Sequence, residues 1–172
     1  MSASIDSKPG VVKNRTTVER KSDREVVVTR TINGPARIVF EAFTKAELLK
    51  RWWVPKSMGM TLLSCEVDAR VGGKYRLVFD YGGSEPAAFF GTYIEVEPYS
   101  RLAWTNEESG EDGPVTTVTF EETDGKTLVV LQETYPSKEA LDAAGGGAAE
   151  AMVETFDQLE ELLVALGESS GQ

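Results

Sequence analysis

The chain has 172 residues, 41% of them hydrophobic, and 28 Asp and Glu against 18 Lys and Arg give it a formal charge of −10. That length suits one domain with a sizeable core, and that charge repels phosphate backbones and anionic lipid heads, so no nucleic acid is expected as a partner. There is no histidine, and Cys65 is the single cysteine. Ser-His-Asp triads, Cys-His dyads, His-bearing zinc sites and internal disulfides are thereby excluded, and no acidic run has the spacing of a calcium loop. Neither a metal nor a cofactor is expected. No apolar run reaches the roughly 20 residues that span a bilayer, and the start carries no apolar leader, so the expectation is a cytoplasmic protein without membrane insertion.

Residues 1–23 read as a flexible tail, polar and aperiodic, with a turn at Pro9-Gly10 and at most a short extended piece at Thr16-Thr17-Val18. Over residues 1–24, Lys8, Lys13, Arg15, Arg20, Lys21 and Arg24 make the segment basic, the composition of a solvated arm. A domain over 24–167 follows. Glu25 to Ile32 is rich in β-branched residues and predicts a strand that stops at Asn33-Gly34-Pro35. Ile38, Val39, Phe40, Phe43, Leu48 and Leu49 then recur at helical spacing and predict two short helices, about 35–43 and 45–51, with Pro35 near the first helical position and Thr44 as a cap for the second. Pro55 disfavours helical geometry at Val54, so Trp52 and Trp53 flank an irregular loop.

From 60 to 135 the sequence alternates in short segments: 60–69, 74–81, 87–97, 101–107, 115–122 and 126–135. Turn chemistry separates them at Gly72-Gly73, Gly82-Gly83-Ser84, Pro98, 110–114 and Asp124-Gly125. The connections are too short for crossover helices, which predicts an antiparallel sheet of six to seven strands and excludes a doubly wound parallel sheet. Pro136-Ser137 stops the last strand and caps a short helix to Ala144, and Gly145 to Gly147 interrupts it. A long amphipathic helix then runs to about Leu166, with Ala148, Ala149, Met152, Val153, Phe156, Leu159, Leu163 and Leu166 on one face. Residues 168–172 are expected to be disordered. The fold class is α+β, a curved sheet wrapped on its terminal helix.

A curved sheet and a straight helix cannot touch along their whole length, so a cavity between them is expected. Strand parity turns Tyr75, Leu77 and Phe79, Leu102 and Trp104, Val118 and Phe120, and Val129 and Leu131 toward the helix. Trp53, Tyr75, Phe79, Trp104, Val118, Phe120, Met152 and Phe156 are the candidate ligand-binding residues, and their bulk suits a hydrophobic small molecule, although from the sequence alone a filled core is the more common use of such side chains. Two charged residues break the apolar parity, Arg30 and Glu133. Burying either alone costs several kcal/mol, so a buried Arg30–Glu133 pair is expected, with Glu133 the one weak candidate for acid–base catalysis. Cys65 reads as an inert thiol, and the other carboxylate clusters read as solvated edges. Exposed sheet edges make a homodimer an expectation as well.

Six segments, in this order and spacing, carry a family resemblance. They are Val28-Thr-Arg-Thr-Ile-Asn-Gly-Pro-Ala36, Phe40-Glu-Ala-Phe-Thr44, Arg51-Trp-Trp-Val-Pro-Lys56, Cys65-Glu-Val-Asp-Ala-Arg-Val-Gly-Gly-Lys-Tyr-Arg76, Gly91-Thr-Tyr-Ile-Glu-Val-Glu-Pro98 and Arg101-Leu-Ala-Trp-Thr105. Over about 24–166 the chain resembles the START/Bet v superfamily, also called SRPBCC, and within it the domain named for the activator of heat-shock-protein-90 ATPase homologues. The resemblance implies the helix-grip fold and a cavity under the C-terminal helix, with no identified catalytic residue. It allows three functions: a noncatalytic binder of a hydrophobic ligand, a cavity-carboxylate hydrolase or cyclase, or an interaction module with a chaperone partner. The binder ranks first and the interaction module last, since residues 1–23 are too short to replace the separate N-terminal domain that the eukaryotic co-chaperone needs.

Overall fold

The computed structural model describes residues 16–80, 85–107, 113–144 and 147–170. The turn expected at 82–84, most of the 110–114 loop, Gly145 and Gly146, and the first fifteen residues of the expected tail lie outside them. The strands are β1 (Thr17–Arg20), β2 (Glu25–Ile32), β3 (Thr61–Val67), β4 (Lys74–Asp80), β5 (Ala87–Glu97), β6 (Arg101–Thr105), β7 (Val115–Thr123) and β8 (Lys126–Thr134). Helices α1 (Ala36–Thr44) and α2 (Ala46–Leu49) follow β2, and α3 (Lys138–Ala144) and α4 (Gly147–Ser170) close the chain. A short 3-10 turn covers Lys56–Met58.

The strands form one antiparallel sheet of eight in the order β1-β2-β8-β7-β6-β5-β4-β3. Each strand from β3 onward pairs with the next, and β8 closes back on β2. The sheet exceeds the expected six to seven strands because Thr17–Arg20, read as tail, pairs with Val26–Thr29 as an edge strand. Four residues were too few to register as a strand without their partner. At the other end, the expected disordered segment begins inside α4, which continues to Ser170.

Alternation along β2 is complete, with Val26, Val28, Arg30 and Ile32 buried and the residues between them half-buried. Leu77, Phe79, Leu102, Trp104, Val118, Phe120, Val129 and Leu131 are buried on the same side of the sheet. Asp124 and Gly125 turn the β7–β8 hairpin with φ of 55° and 79°, the two positive values of a type I′ turn. Thr44 does not cap α2: Lys45 occupies that position without a side-chain bond, and the Thr44 hydroxyl donates to the Phe40 carbonyl 2.9 Å away. The first amide of α1, Ala36 N–H, instead donates to Glu122 of β7 at 2.9 Å, a carboxylate at the positive end of the helix.

Helix α4 buries Thr155, Phe156, Gln158, Leu159, Leu162 and Leu163, while Val153, expected on this face, is 39% exposed. Its footprint covers β1, β2 and α1. Two polar fasteners set that position. Arg30, 3% exposed, reaches Asp157 and Glu160 of α4 and the Thr16 hydroxyl. Gln158, 7% exposed, donates to the carbonyls of Trp52 (3.0 Å) and Val54 (2.9 Å) and accepts from Lys56 N–H (2.9 Å).

The expected Arg30–Glu133 pair is not formed. Strands β2 and β8 are neighbours, but their register sets Arg30 opposite Val129 and Glu133 opposite Val26, four residues apart along the ladder. At about 3.4 Å per residue that offset exceeds the reach of an ion pair. Glu133 accepts instead from the Tyr135 hydroxyl at 3.1 Å.

Candidate functional site

Pro55 ends the helical turns that follow α2, so the two tryptophans diverge. The Trp52 amide still donates to Leu49 O, and its side chain turns inward, fully buried, with Nε1–H donating to Ala42 O at 2.9 Å. Trp53, half-buried, lies over the sheet at a ring distance of 5.2 Å from Trp52 and 6.4 Å from Trp104. Trp104 in turn meets Tyr75 at 6.3 Å and Tyr93 at 6.1 Å, all edge-to-face. Tyr75 and Tyr93 touch each other at 5.9 Å, because Gly91 between them in the ladder leaves room on the Tyr75 side.

These rings line a cavity of about 50 Å³ that is partly open to solvent. The α1–α2 unit and the loop after it contribute Phe43, Leu49 and Trp53; β4 contributes Tyr75 and Leu77; β5 contributes Phe89 and Tyr93; β6 and its continuation contribute Trp104 and Asn106. One water needs roughly 10–15 Å³ of such space, so the cavity takes about four heavy atoms as it stands. Phe89, 37% exposed, stands at its outer rim.

Asn106 is the polar corner. Its Nδ2 donates to Pro114 O (2.9 Å) and to Thr116 Oγ1 (3.0 Å), and its Oδ1 faces the Tyr75 hydroxyl (3.1 Å), which also lies 2.9 Å from Thr105 O. Behind it, Glu107 accepts from Thr105 Oγ1 (2.6 Å) and Thr92 Oγ1 (2.9 Å), and those two bonds lower its carboxyl below the ordinary value. Burial, then the neighbouring Cys65 and Asp68, pushes the Tyr93 phenol well above its ordinary range, so it stays protonated. Burial also raises the Cys65 thiol, partly opposed by Lys50, so the sulfur is a poor nucleophile.

Of the candidate residues read from the sequence, Trp53, Tyr75 and Trp104 stand around this cavity. Phe79, Val118, Phe120 and Phe156 are buried in the core beside or beyond it, and Met152 is half-buried against that core. Phe120 meets Phe40 and Phe43, Phe156 meets Trp52, and Phe79 meets Phe89, so each fills space rather than bounding it. Phe43, Leu49, Leu77, Phe89, Tyr93 and Asn106 line the cavity without being among those candidates. The inward parity of Leu77 and the Gly91-Thr-Tyr93 segment were the available signals for this region. Glu133 is not among the lining residues, and among the described residues no charged side chain is. Among the described residues no group of three or more His, Cys, Asp or Glu could hold a metal ion, and no helix is long and apolar enough to cross a membrane.

Residues 33–164 match the sequence profile described as Activator of Hsp90 ATPase homolog 1-like protein, a match over most of the chain. The chain belongs to that family. No curated protein matches it in sequence. Among solved structures, the family fold recurs in a crystal structure from Rhodobacter sphaeroides at a TM-score of 0.79 and 22% identity, covering 88% of this chain and 99% of that one. A solution structure from Staphylococcus epidermidis is similar at a TM-score of 0.70 and 28% identity, covering 87% and 94%. The solution structure of an AHSA1-like protein from Aeromonas hydrophila is similar at a TM-score of 0.62 and 22% identity, covering 78% and 92%. For this family member the helix-grip architecture therefore stands on both its own geometry and its neighbours.

Proposed function

We propose that the protein is a noncatalytic small-molecule binder that holds a hydrophobic ligand in the aromatic cavity between the α1–α2 unit and strands β4 to β6. The observation that carries this reading is a space bounded by Trp53, Trp104, Tyr75, Tyr93, Phe43 and Phe89, with Asn106 as a fixed polar corner. Apolar walls with one or two placed polar groups are the composition of a small-molecule site. Among the described residues no carboxylate lines the wall to act as acid or base, so this lining gives the hydrolase or cyclase reading no support. At about 50 Å³ the space is far below the several hundred Å³ of a drug-sized pocket. A lipid or polyketide would have to displace Trp53 or Phe89.

Intrinsic fluorescence titration with small aliphatic and aromatic compounds tests the reading, since Trp53 and Trp104 are themselves part of the wall. The expected result is saturable change in the native protein and its loss in Leu77→Trp, which fills the space. Absence of saturable binding across the series refutes it. Membership in a family named for an activator of the Hsp90 ATPase supports a second reading, docking on a chaperone. That reading predicts capture of a chaperone that Leu77→Trp leaves intact.

A further inference from the structure

The hydrogen-bonding groups around the cavity are unevenly used, and this inference rests on the binding role proposed above. Both Asn106 Nδ2 hydrogens are taken, by Pro114 O and Thr116 Oγ1, and the Tyr75 hydroxyl sits between Thr105 O and Asn106 Oδ1. Tyr93 differs. It lines the cavity and is 3% exposed, yet its hydroxyl has no acceptor among the described residues. Nor is that oxygen sealed in: among the described residues the one fully enclosed side-chain polar atom without a partner is Arg30 Nε. The Tyr93 hydroxyl therefore opens onto space that a water-sized group reaches. The Asp68 carboxylate, whose field reaches this phenol, is engaged through both oxygens by Arg70 Nε at 3.0 Å.

We infer that the cavity selects a compact, uncharged molecule with a single acceptor oxygen, a short-chain carbonyl compound in chemical class, which receives the Tyr93 hydroxyl hydrogen. Size, charge and donor count converge on it. The space admits about four heavy atoms. Among the described residues an anion would find no basic side chain at the wall, and a cation would find no carboxylate. The rings meet one another edge-to-face, with interplanar angles of 64° to 73° among Tyr75, Tyr93 and Trp104, so their faces are already partnered by neighbouring edges rather than held open for an ammonium group. A carbonyl oxygen can accept the hydrogen that this hydroxyl donates to no group among the described residues, and an exchange of that kind for water is worth about 1 kcal/mol.

The experiment uses four probes on the full chain, butanone, xenon, acetate and tetramethylammonium, followed by chemical-shift changes at the Trp53 and Trp104 indoles. Butanone and xenon are expected to bind and the two ions to leave the indoles unmoved. Tyr93→Phe is expected to weaken butanone about tenfold, the worth of one hydrogen bond, while xenon binds unchanged and certifies that the variant keeps its cavity. Acetate or tetramethylammonium binding as tightly as butanone overturns the inference, as does butanone affinity unchanged by Tyr93→Phe. In either case xenon binding leaves the cavity-binder reading standing. Failure of xenon and butanone together removes both.

Discussion

Gly91 lies in the middle of β5, opposite Tyr75, where the alternation would place an ordinary side chain. A Cβ built there falls 1.8 Å from Thr105 O, 2.8 Å from Thr105 C and 2.8 Å from Tyr75 Cε2. Two of those three neighbours are backbone, so rotamer changes cannot relieve the clash. Reaching an ordinary contact of 3.4 Å requires β5 and β6 to part by about 1.6 Å at this point, at the expense of the Thr92 N–H bond to Thr105 Oγ1 and the Glu107 N–H bond to Phe90 O. Overpacking a filled site costs about 1–3 kcal/mol, occasionally more, and a backbone clash belongs at the upper end. Gly91→Ala is therefore expected to lose about 3 kcal/mol, reduced by less than 1 kcal/mol through the lower entropy of the unfolded chain.

Urea unfolding at constant pH measures this directly. With a slope of about 1–3 kcal/mol per molar, the midpoint should fall by about 1 M or more with little change in slope. Gly125→Ala is the comparison: its φ is +79° but nothing lies within 4 Å of the added Cβ, so it carries only the left-handed backbone cost of about 1–2 kcal/mol. The two variants separate steric approach from backbone conformation. A Gly91→Ala protein as stable as Gly125→Ala would refute the close-approach account. The same variant moves Thr105 O, which the Tyr75 hydroxyl contacts, so the cavity wall should report the strain as altered tryptophan emission.

Gln158→Leu removes one buried amide and orphans the Trp52 and Val54 carbonyls and Lys56 N–H, with an expected loss of about 2–4 kcal/mol in thermal or urea unfolding. Glu160→Gln should cost more than Asp157→Asn, although both face Arg30: the Glu160 side chain is 13% exposed against 59% and also accepts Asn33 N–H at 2.7 Å. Equal melting temperatures would contradict this. Bonds from the Ser57 side chain and backbone hold the Glu154 carboxyl below its ordinary 4.5, so the unfolded chain takes up the proton first. Its contribution is complete above about pH 4.5 and disappears as pH falls through the lower folded value; Ser57→Ala should flatten that acid limb in urea midpoints taken from neutral pH downward.

Strand parity was legible because a period of two needs no knowledge of neighbours: Leu102, Trp104, Val118 and Phe120 are inward in sequence and in structure. What parity leaves open is what arrives above an inward residue. Arg30 reads as buried on β2, but its partners come from α4, where Asp157 and Glu160 lie off the apolar face named from the sequence. Only the docking of the helix brings them over Arg30. The cavity shows the same division. Val118, Phe120 and Phe156 point inward, yet they are buried in the core, with Phe43 packed on Phe120 and Trp52 on Phe156. Tyr93 and Asn106 depend on a bulge between Tyr93 and Glu95 and on a strand end, neither of which periodicity encodes.

The position of the void follows from where α4 is tied. Arg30 fixes the helix to β2, near one edge of the sheet, and Gln158 fixes it to the loop after α2. A helix held there covers β1, β2 and α1 but leaves the concave side of β4, β5 and β6 to be closed by something shorter. That closure falls to Phe43, Leu49 and Trp53, three side chains from a nine-residue helix, a four-residue helix and a loop. Rigid rings on short supports do not mesh with a curved wall of Tyr75, Tyr93 and Trp104 as densely as a long helix meshes with β2, and the mismatch is the cavity. The same amide that holds α4 also sets Trp53, since Gln158 bonds the carbonyls of Trp52 and Val54 on either side of it. Stability of the helix and the shape of the site are thus one mechanical system, and a ligand that displaces Trp53 must work against Gln158.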